Sequence, residues 1–111
     1  MNTEKTKVIF RKWNKSVDKN QGIIAIFPEE LGTMSPYTCS SWEWVGEHGA
    51  CDPVMVIKSS KLATENEYQE VRNYLEDHYG YKLEVIQRLR YNAIEIRQQK
   101  IREIGNVHLK N

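Results

Sequence analysis

Residues 7–13 alternate along the chain, with Val8 and Phe10 on one face and Ile9, Arg11 and Trp13 on the other, the period of a strand. A polar stretch, 14–22, ends in Gly22 and reads as a hairpin-like connection. Residues 22–27 are then continuously apolar and rich in isoleucine, which predicts a central strand covered on both faces. Pro28 cannot donate to a ladder and is expected to end that strand. Residues 31–37, with Gly32, Ser35 and Pro36, read as a loop. Alternation returns over 38–45: Thr38, Ser40, Trp42 and Trp44 share one face, while Cys39, Ser41, Glu43 and Val45 share the other. This is the third strand of an antiparallel meander. Residues 46–53 read as a turn-rich loop, and 54–57 fit either a short strand or one helical turn.

The period then changes. Thr64 and Glu67 stand in capping-box spacing ahead of Tyr68, Val71, Leu75 and His78/Tyr79, one stripe of a helix that stops before Gly80. Residues 81–89 alternate Leu83 and Val85 against Lys82 and Glu84, a fourth strand. A last helix is expected over 90–104, ending at Gly105, with a thin stripe of Ile94, Ile101 and Ile104. The sum is α+β in two layers: a three-stranded antiparallel meander, a fourth strand, one packed helix and a C-terminal helix. Residues 1–90 read as one compact domain. Residues 91–111 read as a helix and tail that are loosely docked or form an oligomer contact.

Composition places the chain among soluble globular domains, at 40% hydrophobic and 28% charged residues over 111 positions. The longest apolar run, 23–27, is far short of the ~20 residues that span a bilayer. The polar N-terminus has no apolar segment behind it, so no secretory leader is expected. These features point to the cytoplasm, where Cys39 and Cys51 are expected to stay reduced, although their spacing allows a disulfide.

Charge is segregated. Residues 21–57 contain no lysine or arginine but five acids, Glu29, Glu30, Glu43, Glu47 and Asp52, whereas residues 1–20 hold six basic groups against two acids and residues 82–111 hold seven against three. The acidic middle also contains both cysteines, Trp42, Trp44 and His48, which makes it the place to look for a site.

Each chemistry that these residues could carry meets an objection. Cys39, His48, Cys51 and Asp52 or Glu47 are zinc-ligand types, but they lack the paired knuckle that pre-shapes half a site, and no metal is expected. A Cys51 or Cys39 nucleophile with His48 as base would sit among acids, where a thiolate is disfavoured. The loop of Gly46, Glu47, His48 and Gly49 is not a phosphate-binding loop, although a nearby tryptophan could stack on a base. Lys5, Lys7, Arg11, Lys12, Lys15 and Lys19 at one end, with Arg88, Arg90, Arg97, Lys100 and Arg102 at the other, could meet nucleic acid. Interspersed acids and a pI of about 7.8 favour a mixed solvated surface instead.

The segments Phe10 to Trp13, Gly22 to Glu29, Val45 to Gly49, Ala63 to Tyr68 and Gly80 to Leu83 together resemble a small family of proteins borne by plasmids, phages and integrative elements. The likeness runs over about residues 7–89. It implies one compact domain in a mobile-element setting and assigns no reaction and no cofactor. The expectation that follows is a non-catalytic cytosolic accessory protein that binds a macromolecular partner, a protein rather than nucleic acid or membrane, through Tyr37, Trp42, Trp44, Glu47 and His48. The alternative is a small-molecule or nucleotide-binding protein that sequesters a signal in phage–host conflict. Homo-oligomerisation through 91–111 is compatible with either.

Overall fold

A computed structural model of the protein describes residues 4–16 and 22–110. Residues 17–21, most of the first predicted connection, lie outside the described residues, and Lys19 of the basic N-terminal group lies with them.

The architecture is α+β; the described residues form a six-stranded sheet with three helices. β1 (Thr6–Trp13) pairs antiparallel with β2 (Ile23–Leu31), Ile9 opposite Ile26. β2 pairs with β3 (Cys39–Glu43), Ala25 opposite Trp42, and β3 pairs with β4 (Glu47–Cys51), Ser41 opposite Gly49. The other side of β1 is shared by two short strands. β5 (Ser60–Leu62) runs antiparallel to its second half, and β6 (Leu83–Val85) runs parallel to its first. The path is β4-β3-β2-β1-β5, with β6 also on β1.

Alternation along the strands divides the core in two. Val8, Phe10, Ala25, Phe27 and Trp42 face helix α2 (Glu65–Tyr79), which contributes Val71 and Leu75. Ile9, Ile24, Ile26 and Cys39 face the other way, against Val56 of the short helix α1 (Pro53–Lys58), Leu89 and Trp13. β2 is thus covered on both faces, as its unbroken apolar run predicts.

α2 begins with the capping box read from the sequence. Thr64 Oγ1 accepts from the Glu67 N–H, and the Glu67 carboxylate accepts from the Thr64 N–H. Lys12 of β1 also bonds the Glu67 carboxylate. Lys12 first, and the cap amide second, hold that carboxyl down at about 2. The helix ends at Gly80 in a left-handed cap.

Several boundaries differ from the sequence reading. β2 does not stop at Pro28. It continues to Leu31 through a register shift against β3 between Phe27 and Leu31, and proline is tolerated at such a bulge because no ladder donor is needed there. The third strand is shorter than 38–45, and the supposed loop 46–53 contains β4. Residues 54–57 are helical because Asp52 caps them, accepting from the Val54 and Met55 N–H groups with Pro53 at the first turn. Residues 81–89 contribute only three residues of strand, and a further short strand, β5, lies at 60–62, outside the segments that alternate in the sequence.

The last helix, α3 (Ala93–Lys110), starts later than expected and runs through Gly105. Its isoleucines do little of the docking: Ile94 and Ile101 are half-buried and Ile104 is exposed, whereas Ala93 and Arg97 are buried. The Arg97 guanidinium donates to the carbonyl oxygens of Pro28 and Pro36. Lys100 donates to the Glu29 carbonyl at 2.6 Å and pairs with the Glu30 carboxylate. Pro28 and Glu29 lie inside the bulge, so α3 satisfies carbonyls that the ladder with β3 leaves free.

Candidate functional site

The turn between β3 and β4 is three residues long, Trp44, Val45 and Gly46, and it places an indole and a valine at the tip of a hairpin. Gly46 takes φ 84° and Glu47 takes φ 54°. The first suits glycine, and the second is uncommon for a side chain that carries a Cβ. The Glu47 carboxylate accepts a 2.6 Å hydrogen bond from the Tyr79 hydroxyl at the end of α2, and this bond offsets the backbone cost of its conformation. The same bond pushes the Tyr79 phenol above its ordinary range, since ionisation would set two negative groups against each other.

The two tryptophans that share a strand face in the sequence have different fates. Trp42 is fully buried, and its indole N–H donates to the Tyr79 oxygen at 3.3 Å. Trp44 is 49% exposed, standing edge-on to Trp42 at 4.8 Å and tilted over Tyr74 at the same centroid distance. Tyr74 stacks on His78, one turn further along α2, at 4.8 Å and 12°. His48, opposite Trp42 across the hairpin, meets the Tyr79 ring edge-on at 4.7 Å and shares a 2.8 Å hydrogen bond with the Tyr81 hydroxyl. Burial raises the Tyr81 phenol, and Glu30 adds to the shift. The result is a continuous aromatic ledge, anchored by Trp42 and opened to solvent at Trp44.

A groove of about 460 Å³ runs beside Trp44, lined by Tyr74, His78, Glu70, Asn73 and Asp77. The four α2 residues nearest its length, 70, 73, 74 and 77, fall on one helical stripe, with 78 beside them. No lysine or arginine lines it. Glu70 and Asp77 join no ion pair among the described residues.

Of the residues singled out in the sequence, Trp44, Glu47 and His48 therefore meet on this ledge, and Trp42 supports it from within the core. Tyr37 does not join them. It is 68% exposed and lines a separate groove with Asp52, Val54, Leu89 and Tyr91 beside α1 and the start of α3. The rest of the ledge, Tyr74, His78, Tyr79 and Tyr81, escapes a reading that treats His78 and Tyr79 as core stripe. The available signal is the crowding of four aromatic or imidazole side chains around the Gly80 helix stop.

The acidic character of 21–57 has a different basis from the one expected. Glu29 pairs with Lys7, Glu30 with Lys100, Glu43 accepts from the Trp13 indole, Glu47 from Tyr79, and Asp52 caps α1. All five acids have partners within the fold. Lys7, Lys12, Arg97 and Lys100 from the basic ends are bonded likewise, and Arg11 donates to the Ser60 side chain and to the carbonyls of Ile57 and Ser60. Opposite charges that are segregated in sequence are joined in space. The acids left facing outward at the ledge are those of α2.

The metal and nucleophile arrangements do not assemble. His48 faces the aromatic side of the hairpin, whereas Cys39 and Cys51 face the isoleucine side, and Asp52 is taken up by its cap. Among the described residues no three His, Cys, Asp or Glu side chains converge as ligands for a metal ion. No helix among the described residues is long and apolar enough to cross a membrane.

Compared with protein-family models, with curated proteins and with solved structures, the chain matches none.

Proposed function

We propose that the protein is a non-catalytic binding protein that grips a basic segment of a protein partner at the Trp44–Tyr74 ledge. The observation that carries this reading is the groove itself: a half-exposed indole beside Tyr74 and His78, rimmed by Glu70 and Asp77 and free of lysine and arginine. An arginine or lysine side chain lays its apolar stem on such rings, sets its charge against their faces, and meets a carboxylate at the rim. Trp44 is backed by the buried Trp42, so it costs little further ordering on binding, the property of an interface anchor. The resemblance over residues 7–89 supports a role as an accessory protein of a mobile element, acting in the cytoplasm on a host or element-encoded protein.

Tryptophan fluorescence titrated with short arginine- and lysine-rich peptides tests the reading. Saturable binding is expected, weakening as salt rises. It should be at least roughly tenfold weaker after Trp44→Ala or the joint change Glu70→Gln with Asp77→Asn, about 1.4 kcal/mol. Equal response to acidic peptides, or indifference to both variants, sinks the reading.

A second reading has its own observation. A cleft of about 650 Å³ lies between α3 and the sheet, lined by Phe27, Leu31, Ser40, Tyr81, Lys100 and Ile104, with Phe27 and Tyr81 stacked at 5.1 Å. Its size is that of a small-molecule site. Its charge disfavours a nucleotide, because Lys100 is already bonded to Glu30 and Glu103 adds a second carboxylate to the wall. A neutral, flat ligand would fit better, and a thermal-shift screen of such compounds separates this reading from the first.

A further inference from the structure

We propose that Cys39 and Cys51 form a dithiol–disulfide site, closed by exchange with a small-molecule disulfide. The β3–β4 register sets the two residues directly opposite each other. Directly opposed residues of an antiparallel pair have Cα atoms about 4.5–5.5 Å apart, within the span that a disulfide bridges without backbone movement. The sulfurs stand 3.7 Å apart, both free. Forming the bond requires about 1.7 Å of closure, which rotation of the two side chains can provide.

The two thiols are unequal in ways that assign them roles. Cys39 is fully buried among Ile9, Ile24, Ile26 and Val56, while Cys51 is only partly covered at the end of β4. Hydrogen bonds from Cys39 and from the Ser41 hydroxyl favour the Cys51 thiolate, outweighing its burial and the repulsion of Asp52 and Glu43. Cys39 is pushed the other way, by its bond to Cys51 first and by burial second. Cys51 is therefore the attacking sulfur and Cys39 the resolving one.

The exchange balances in two displacements. The Cys51 thiolate attacks one sulfur of the small disulfide, forms a mixed disulfide and releases one thiolate. Cys39 then loses its proton and attacks the Cys51 sulfur, displacing the second thiolate. The two cysteines are oxidised by two electrons, and one small disulfide is reduced to two thiols. The bond would clamp β4 to β3 at the end remote from the Trp44 tip, ahead of the Asp52 cap. This inference rests on the thiols alone and does not depend on what the ledge binds.

The test uses the full chain, equilibrated in buffers of graded reduced-to-oxidised glutathione ratio, acid-quenched and weighed by mass spectrometry. The expected result is one transition from two free thiols to an intramolecular disulfide, two hydrogens lighter, with no lasting glutathione adduct. Closing this loop should also raise the thermal midpoint, on the order of 10 °C. Cys39→Ser should stop at a single adduct on Cys51, whereas Cys51→Ser should take up none while folded. A wild-type chain that keeps glutathione attached, links to a second copy, or stays dithiol in oxidised glutathione overturns the proposal, and none of these readouts requires a variant.

Discussion

α2 and α3 have 15 and 18 residues, and they are held to the sheet by opposite means. α2 buries Val71 and Leu75 against Phe10, Phe27 and Trp42, with Tyr68 stacked on Phe10 at 4.3 Å. α3 buries an arginine, and its grip is a set of charged donors aimed at carbonyl oxygens of β2 and the following loop. The first kind of docking is written in the period of the helix itself, since apolar residues at the right spacing must be covered. The second depends on a bulge some seventy positions earlier that frees the acceptors, and no local period records it. A thin apolar stripe therefore does not mean a weakly held helix.

The contrast can be broken at its apolar end first. Leu75→Ala deletes a fully buried side chain and should cost about 3 kcal/mol, read from the denaturant midpoint. A loss under about 1 kcal/mol would mean that α2 is held by its cap and ion pairs instead.

Arg97→Met keeps the length of the side chain and removes the donors to Pro28 and Pro36, leaving the buried Pro28 acceptor without its side-chain donor. It should cost about 2 kcal/mol, with helical circular dichroism falling before the sheet unfolds. Arg97→Lys should recover only part of this, because one ammonium cannot serve both carbonyls in the planar geometry of a guanidinium. Full tolerance of methionine would show that α3 is held by its half-buried isoleucines after all.

The smallest effect is confined to acid. Glu67 titrates at about 2 in the fold against an ordinary 4.5. A depressed carboxyl contributes stability that is present above the ordinary value and is lost as pH falls through the folded one. Acid titration of unfolding should therefore show a loss between about pH 4.5 and 2 that Glu67→Gln flattens. An unchanged acid limb in that variant would place the sensitivity on other carboxylates.

Much of the fold could be read in advance where a residue's neighbours decide its structure. β1, β2 and α2 follow from alternation, an apolar run and a capping box. β4 could not be read this way, because Glu47, His48, Gly49 and Ala50 are all exposed and carry no alternation; they are a strand only because β3 offers partners. Pro28 misled because a bulge removes the need for its missing donor. The site divides similarly. Trp44, Glu47 and His48 stood out by type, whereas Tyr74, Tyr79 and Tyr81 join them only through the placement of α2 against the hairpin. The acids misled in a further way: their surplus is local to the sequence, and their partners lie in the basic ends.

Among the described residues β4 closes the sheet on one side, with no strand beyond its outer rank of backbone donors and acceptors. Such an edge is a template on which a second chain can grow, and small side chains like Gly49 and Ala50 do nothing to blunt it. The carboxylates at its two ends do. Glu47 begins this strand and Asp52 directly follows its end, so a second such edge laid antiparallel would bring carboxylates toward carboxylates at both ends of a strand only five residues long. The groups that cap α1 and brace Tyr79 inside one molecule would thus also oppose runaway sheet growth between molecules.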